Sequence, residues 1–195
     1  MTVYLAGTEG QDEIFTHSMK PWREIAMLQS YYYLRTKKAV HIPDRFLLDS
    51  GAFTFIVGDK SKQVNWDEYV DQYAAFVKKH NVRRYFELDI DVIVGYDRVK
   101  QLRARLESQV GWPSIPVWHK GRGKEGYLEM CNSVDSATWL VSDRFSNICR
   151  FECVKGKWTM TQKHLYGKRC KDVAKLRQFN FNQWVRFQEY AETHL

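Results

Sequence analysis

The chain reads as an α/β fold with parallel strands, and three observations carry that expectation. Short apolar runs alternate with helical patterns from the N-terminus to about residue 130. Such alternation implies right-handed parallel crossovers. Some of the runs end in carboxylates, as Phe46-Leu47-Leu48-Asp49 and Tyr85-Phe86-Glu87-Leu88-Asp89 do. In parallel α/β folds the strand carboxyl ends open onto one face, where chemistry collects. Beyond Asp135 the texture changes to a hairpin followed by helical segments, rich in lysine and arginine.

Val3–Ala6 is predicted as a first strand, Thr8–Lys20 as polar and irregular, and Trp22–Leu34 as a helix opened by Pro21. Phe46–Asp49 is a strand that turns at Ser50-Gly51. Asn65 caps a helix with acids in its first turn (Asp67, Glu68) and Lys78-Lys79 in its last. Tyr69, Val70, Tyr73, Phe76 and Val77 form its buried face. Tyr85–Ile90 is the next strand. Because strand side chains alternate, Asp89 and Asp91 are expected to point the same way. Tyr96–Glu107 is helical. Ile115–Trp118 is a strand with Pro116 near its start or at an edge, and Lys124–Met130 is a helix. Ile148–Val154 and Lys157–Gln162 flank Lys155-Gly156 as a hairpin. Lys171–Arg177 and Asn182–Thr193 are two helices. The Tyr31-Tyr32-Tyr33 run suits a packing seam better than a base-stacking platform. Two domains are expected, over residues 1–140 and 141–195.

Composition bounds the function. Aromatics at 15% and hydrophobic residues at 44% exclude a disordered chain. No apolar run is long enough to span a membrane, and the N-terminus lacks the basic and apolar regions of a signal peptide. Four irregularly spaced cysteines do not form a secreted disulfide pattern, so a cytoplasmic setting is expected. The net charge of +7 is unevenly spread. Between Arg144 and Arg177 ten basic residues face only Glu152 and Asp172. Such a segment suits a polyanion. Lys155, Lys157, Lys168 and Arg169 are its candidate phosphate contacts, and Phe151, Trp158 and Tyr166 lie among the cations as stacking partners for bases.

At Asp49-Ser50-Gly51-Ala52-Phe53 the chain resembles the queuine/archaeosine tRNA-guanine transglycosylase superfamily, whose barrel carries an Asp-Ser-Gly-Gly-Phe-like motif. Leu88-Asp89-Ile90-Asp91, Pro116-Val117-Trp118-His119 and Ser133-Val134-Asp135-Ser136 follow in family order. The run from Glu87 to Lys124 is most similar to the phage branch that places deazaguanines in DNA. The resemblance spans about Val3 to Trp139 and implies a TIM-barrel-like (β/α) fold. It also marks a departure. Two β/α units that the family has before its nucleophile strand are missing between Cys131 and Asn132. A closed barrel needs ~200 residues or more, so either the barrel is naturally reduced, or a deletion removed its middle, or a homo-oligomer or partner subunit covers the gap.

The resemblance also implies roles. Asp135 is the nucleophile, and Asp49 is the acid/base that protonates departing guanine and deprotonates an incoming 7-deazaguanine. Asp89, with Asp91 next, accepts N–H bonds from the base. Ser50 and Gly51 offer backbone donors, Phe53 forms an apolar wall, and Trp118 and His119 face the base edge. Lys120, Arg122 and Lys124 hold phosphates. DNA is the expected substrate, with tRNA second and the host cytoplasm as the setting of a phage-encoded chain. No cofactor is needed for this chemistry. A structural zinc is the family's habit, and Cys149, Cys153, His164 and Cys170 are the candidate ligands. Two other readings compete: a noncatalytic nucleic-acid-binding or partner subunit, and a metal-dependent hydrolase holding Mg²⁺ on Asp89 and Asp91.

Overall fold

A computed structural model describes residues 2–52, 54–55, 64–117, 133–136, 142, 145–165 and 172–194. Over these residues the fold is mixed α/β with parallel strand neighbours. The chain divides into two compact units. The first comprises Met1–Met27, Pro43–Arg45 and Asn132–Leu195, and the second comprises Leu28–Ile42 and Phe46–Cys131. This division does not follow the boundary expected near residue 140, because the N-terminal strand groups with the C-terminal hairpin and helix. No helix among the described residues is long and apolar enough to cross a membrane.

In the first unit, β1 (Thr2–Ala6) runs parallel to β4 (Ser133–Ser136), with Tyr4 opposite Asp135. Val3, Tyr4 and Leu5 are all buried, as a strand covered on both faces requires. A short helix, α1 (Asp12–Thr16), interrupts the stretch expected to be irregular. The helix expected over Trp22–Leu34 does not form. That stretch holds a 3₁₀ turn at Trp22–Glu24, then β2 (Met27–Ser30), then one turn of helix, α2 (Tyr31–Leu34). The reason is legible in the burial. Ile25, Ala26 and Met27 are successive fully buried residues, and a short continuous apolar run fits a buried strand as well as a helix. Extended backbone lets Leu5 N–H donate to the Ala26 carbonyl and Met27 N–H to that of Arg45, each at 3.0 Å.

The C-terminal hairpin forms as expected. β5 (Asn147–Val154) and β6 (Lys157–His164) pair antiparallel about Lys155 and Gly156. Both turn residues have positive φ, 50° and 78°, which matches the right-handed strand twist in a two-residue turn. The two predicted C-terminal helices are one, α6 (Val173–His194). Its amides take the place of a neighbouring strand. Asn180 Oδ1 accepts from Cys149 N–H at 2.8 Å, and Gln183 Oε1 accepts from Phe151 N–H at 3.1 Å. Gln188 donates to the carbonyls of Val3 and Ala26 and accepts from Ala26 N–H. Backbone groups on strand edges are thereby satisfied inside the core.

In the second unit, β3 (Phe46–Asp49) is buried over Phe46, Leu47 and Leu48. Its parallel neighbour is the segment at Tyr85 and Phe86, which in turn neighbours Ile115. The strand expected over Tyr85–Ile90 is therefore cut short. Glu87 N–H still donates to the Ile115 carbonyl at 2.9 Å, but Pro116 has no N–H to continue the ladder. The next donor, Val117 N–H, goes to the Glu87 carboxylate at 2.9 Å. The chain then turns into α4 (Asp91–Val94).

Helix α3 (Trp66–Lys79) starts as predicted, with Asn65 Oδ1 accepting from Glu68 N–H at 3.3 Å. Such a cap is worth about 1 kcal/mol. Trp66, Tyr69, Val70, Tyr73, Ala74 and Val77 form its buried stripe. Helix α5 (Tyr96–Val110) buries Val99, Leu102, Leu106 and Val110 and ends at Gly111 with φ 93°. Arg105 grips Asp71 across the two helices with paired contacts of 2.7 Å. Both groups are well exposed, so the pair adds little, whereas each buried side chain contributes roughly 1.5–3 kcal/mol.

Candidate functional site

The carboxylate at the end of β3 is the centre of the site. Leu48 is fully buried, Asp49 is half-buried, and Ser50 is again fully buried. The Asp49 carboxylate accepts the Gly51 N–H at 2.8 Å, and Ser30 and the Ser50 backbone also favour its ionised form. Burial raises the Asp49 carboxyl above its ordinary value. The Gly51 N–H works against that rise, and the nearby Asp89 charge adds to it.

The turn that positions these donors needs glycine. Gly51 has φ +72°, and a Cβ there would lie 2.4 Å from Tyr32 Cβ and 2.6 Å from Ser30 Oγ. Backbone conformation and space both exclude a side chain. Two tyrosines one helical turn apart on α3 then pin the strand end. Tyr69 donates to the Ser50 carbonyl at 2.6 Å, while the Tyr73 hydroxyl lies 3.3 Å from the Leu48 carbonyl and 3.1 Å from that of Phe86. Burial raises both phenols above their ordinary value, so they remain protonated donors. Tyr31 packs against Tyr69, Tyr73 and Phe76 with ring centroids 4.9–5.3 Å apart. It is part of a packing seam. The Arg35 guanidinium sits over Tyr32 at 4.7 Å.

The second acidic segment is held from the other side. Glu87 is 1% exposed, with one oxygen bonded to Val117 N–H and the other 3.4 Å from Arg103. This anchors the backbone from which Asp89 projects. Asp89 and Asp91 are both half-buried. The expectation that strand alternation aims them alike does not hold, because Ile90 precedes a helical turn that begins at Asp91. The Asp89 charge lies close enough to Asp49 to add to the rise of its pKa.

Of the predicted site residues, the structure therefore brings Asp49, Ser50, Gly51 and Asp89 into one neighbourhood of the second unit. Asp135 is placed on β4 of the first unit, opposite Tyr4. Phe53, Trp118, His119, Lys120, Arg122, Lys124, Lys168, Arg169 and Cys170 lie outside the described residues. Lys155 and Lys157 are exposed at the hairpin turn. Cys149 and Cys153 are four residues apart in β5, about 13 Å along an extended strand. Cys149 is buried on the Ser142 hydroxyl, and Cys153 is exposed. At Zn–S distances of about 2.3 Å two thiolates so spaced cannot share one ion without bending the strand. Among the described residues no cluster of three metal-ligating side chains occurs.

Sequence reasoning missed Ser30, Tyr69, Tyr73, Glu87 and Arg103 as supports of the site. The two tyrosines gave a signal only as a buried helix face. Glu87 gave one as the acid two residues before Asp89, but its partner, Val117 N–H, is thirty residues away.

Chemically, a carboxyl raised by burial, accepting a backbone N–H from a fixed turn and close enough to a second carboxylate to feel its charge, is suited to giving and taking a proton. A scan against protein-family models, a search of curated proteins and a search of solved structures each gave no match.

Proposed function

We propose that the chain is a transglycosylase that exchanges guanine for a 7-deazaguanine base in nucleic acid, with DNA the favoured polymer and tRNA the second. The observation that carries this reading is Asp49: a strand-end carboxyl, raised by burial and by Asp89, on a turn that only glycine fits. In the proposed reaction the Asp135 carboxylate attacks C1′ of the target nucleotide and the C1′–N9 bond breaks. The departing guanine takes the Asp49 proton. The incoming deazaguanine returns its N9 proton to Asp49, and its N9 attacks C1′ and releases Asp135. Asp89 accepts N–H bonds from the base. The architecture that goes with this chemistry is a reduced (β/α) barrel, completed by a second copy or a partner chain.

A second reading has its own observation. The Asp49 bond to Gly51 N–H is also what a carboxylate makes when it merely closes a turn, and the chain would then be a noncatalytic, nucleic-acid-binding relative.

Radiolabelled guanine offered with double-stranded DNA and with unmodified tRNA separates the two readings, with a 7-deazaguanine competitor and with chelator in parallel arms. Label entering one polymer, suppressed by the competitor and indifferent to chelator, is the expected result. No label in either polymer favours the noncatalytic relative. Polymer cleavage that stops on chelation favours a metal-dependent hydrolase.

A further inference from the structure

A groove in the first unit shares no lining residue with the Asp49 site. It encloses about 450 Å³ and is open to solvent. One wall is the β5 segment Arg150–Cys153, and the other is the α6 face that carries Phe179, Gln183 and Arg186. Trp158 of β6 completes it. The indole is anchored and available at once. Its ring centroid lies 5.2 Å from Phe151 and 6.0 Å from Tyr190, yet the residue is 47% exposed. Phe179 is 38% exposed on the opposite wall.

The groove's polar equipment is cationic. Arg150 is exposed and Arg186 half-buried, and neither is ion-paired among the described residues. Arg186 donates to the Gln183 oxygen at 3.4 Å, the same oxygen that accepts from Phe151 N–H. The guanidinium therefore hangs from a fixed amide. Among the described residues the only acid lining the groove, Glu152, accepts the Thr161 hydroxyl at 2.6 Å. Across the whole hairpin, Arg150, Lys155, Lys157 and Lys163 face that one acid.

We infer that this groove binds one nucleotide of a single-stranded nucleic acid, with the base on Trp158 and the flanking phosphates on Arg150 and Arg186. Size, charge and rings each favour that occupant. The volume suits one nucleotide, since small-molecule sites run from about 300 to 1,000 Å³. Guanidinium forks match phosphate geometry. An exposed ring beside cations is the usual construction of a sequence-tolerant single-strand site. The inference shares a class of partner with the proposed function but not its residues, so binding here does not require base exchange.

The test is fluorescence anisotropy of a labelled single-stranded 12-mer and of its duplex on the full chain, over a salt series. Wild type is expected to prefer the single strand. Trp158→Leu, which keeps an apolar side chain against Phe151 and Tyr190, should weaken single-strand binding roughly 10-fold, while Trp158→Phe retains most of it. Arg150→Gln and Arg186→Gln should each lower the salt slope by about 0.7. Lys37→Gln, an exposed cation of the second unit, should change affinity far less. The inference is overturned if Trp158→Leu binds like wild type, if the duplex binds as tightly as the single strand, or if Lys37→Gln weakens binding as much as the arginine variants. Base exchange measured on the same variants keeps the two proposals apart. Failure here with exchange by wild type intact removes the groove alone, and absence of exchange by wild type with single-strand binding intact removes the enzyme reading alone.

Discussion

The Tyr69 hydroxyl donates to the Ser50 carbonyl across 2.6 Å, which fixes the Ser50–Gly51 peptide whose N–H donates to Asp49. The donors around the carboxylate are thus set by a helix, not by the loop itself. Tyr69→Phe keeps the ring contacts with Tyr31, Phe55 and Trp66 and leaves a buried carbonyl without this donor. A loss of about 1–3 kcal/mol is expected, read as a lower midpoint in urea with unchanged slope. Base exchange should fall more in kcat than in KM, because the substituted residue positions the acid and does not hold the base.

Asp49→Asn separates stability from chemistry. The wild-type carboxyl is raised in the folded chain, so the folded state resists its ionisation. The contribution of this group to stability is fully present below the unfolded value of 3.8 and is lost as pH rises through the folded value. At pH 7 Asp49→Asn should therefore be at least as stable as wild type, since the amide oxygen can still accept from Gly51 N–H. That advantage should vanish as pH approaches 3. Exchange should be abolished throughout. A variant clearly less stable than wild type at pH 7 would show that the ionised carboxylate holds the turn together.

Gly51→Ala should be severely destabilising. The left-handed backbone costs a non-glycine residue roughly 1–2 kcal/mol, and overpacking against Tyr32 adds about 1–3 kcal/mol. Thermal unfolding checks this. Gly111→Ala, also at positive φ but with nothing within 4 Å of the new Cβ, should lose only the backbone contribution.

Gln188→Leu tests the amide ladder of α6. It removes the partner of the Val3 and Ala26 carbonyls and of Ala26 N–H in a fully buried place. A cost of about 2–4 kcal/mol is expected, near one unsatisfied group or more. At this chain length that is roughly a 5–15 °C drop in Tm.

What could be read from the sequence was local. The α3 cap needs only Asn65 and Glu68, three residues apart, and the hairpin needs only Lys155 and Gly156. Asp49, Ser50 and Gly51 were legible as a strand-end turn for the same reason. The misreadings share a cause. Ile25-Ala26-Met27-Leu28 favours strand or helix according to what covers it, and Ala26 is covered by Gln188, 162 residues away. Residues 178–181, between the two expected helices, continue the helix because Asn180 bonds β5 instead of water. Glu87 looked like one more strand residue, yet it ends the ladder by taking the donor beyond Pro116.

The central claim is that carboxylates of this chain exchange a purine at C1′. The most direct measurement is single-turnover incorporation of labelled guanine into duplex DNA by wild type beside Asp135→Asn. Label retained in the polymer after denaturation with wild type, and absent with Asp135→Asn, is the result the account predicts. Equal incorporation by both proteins, or none by wild type with either DNA or tRNA, would contradict it.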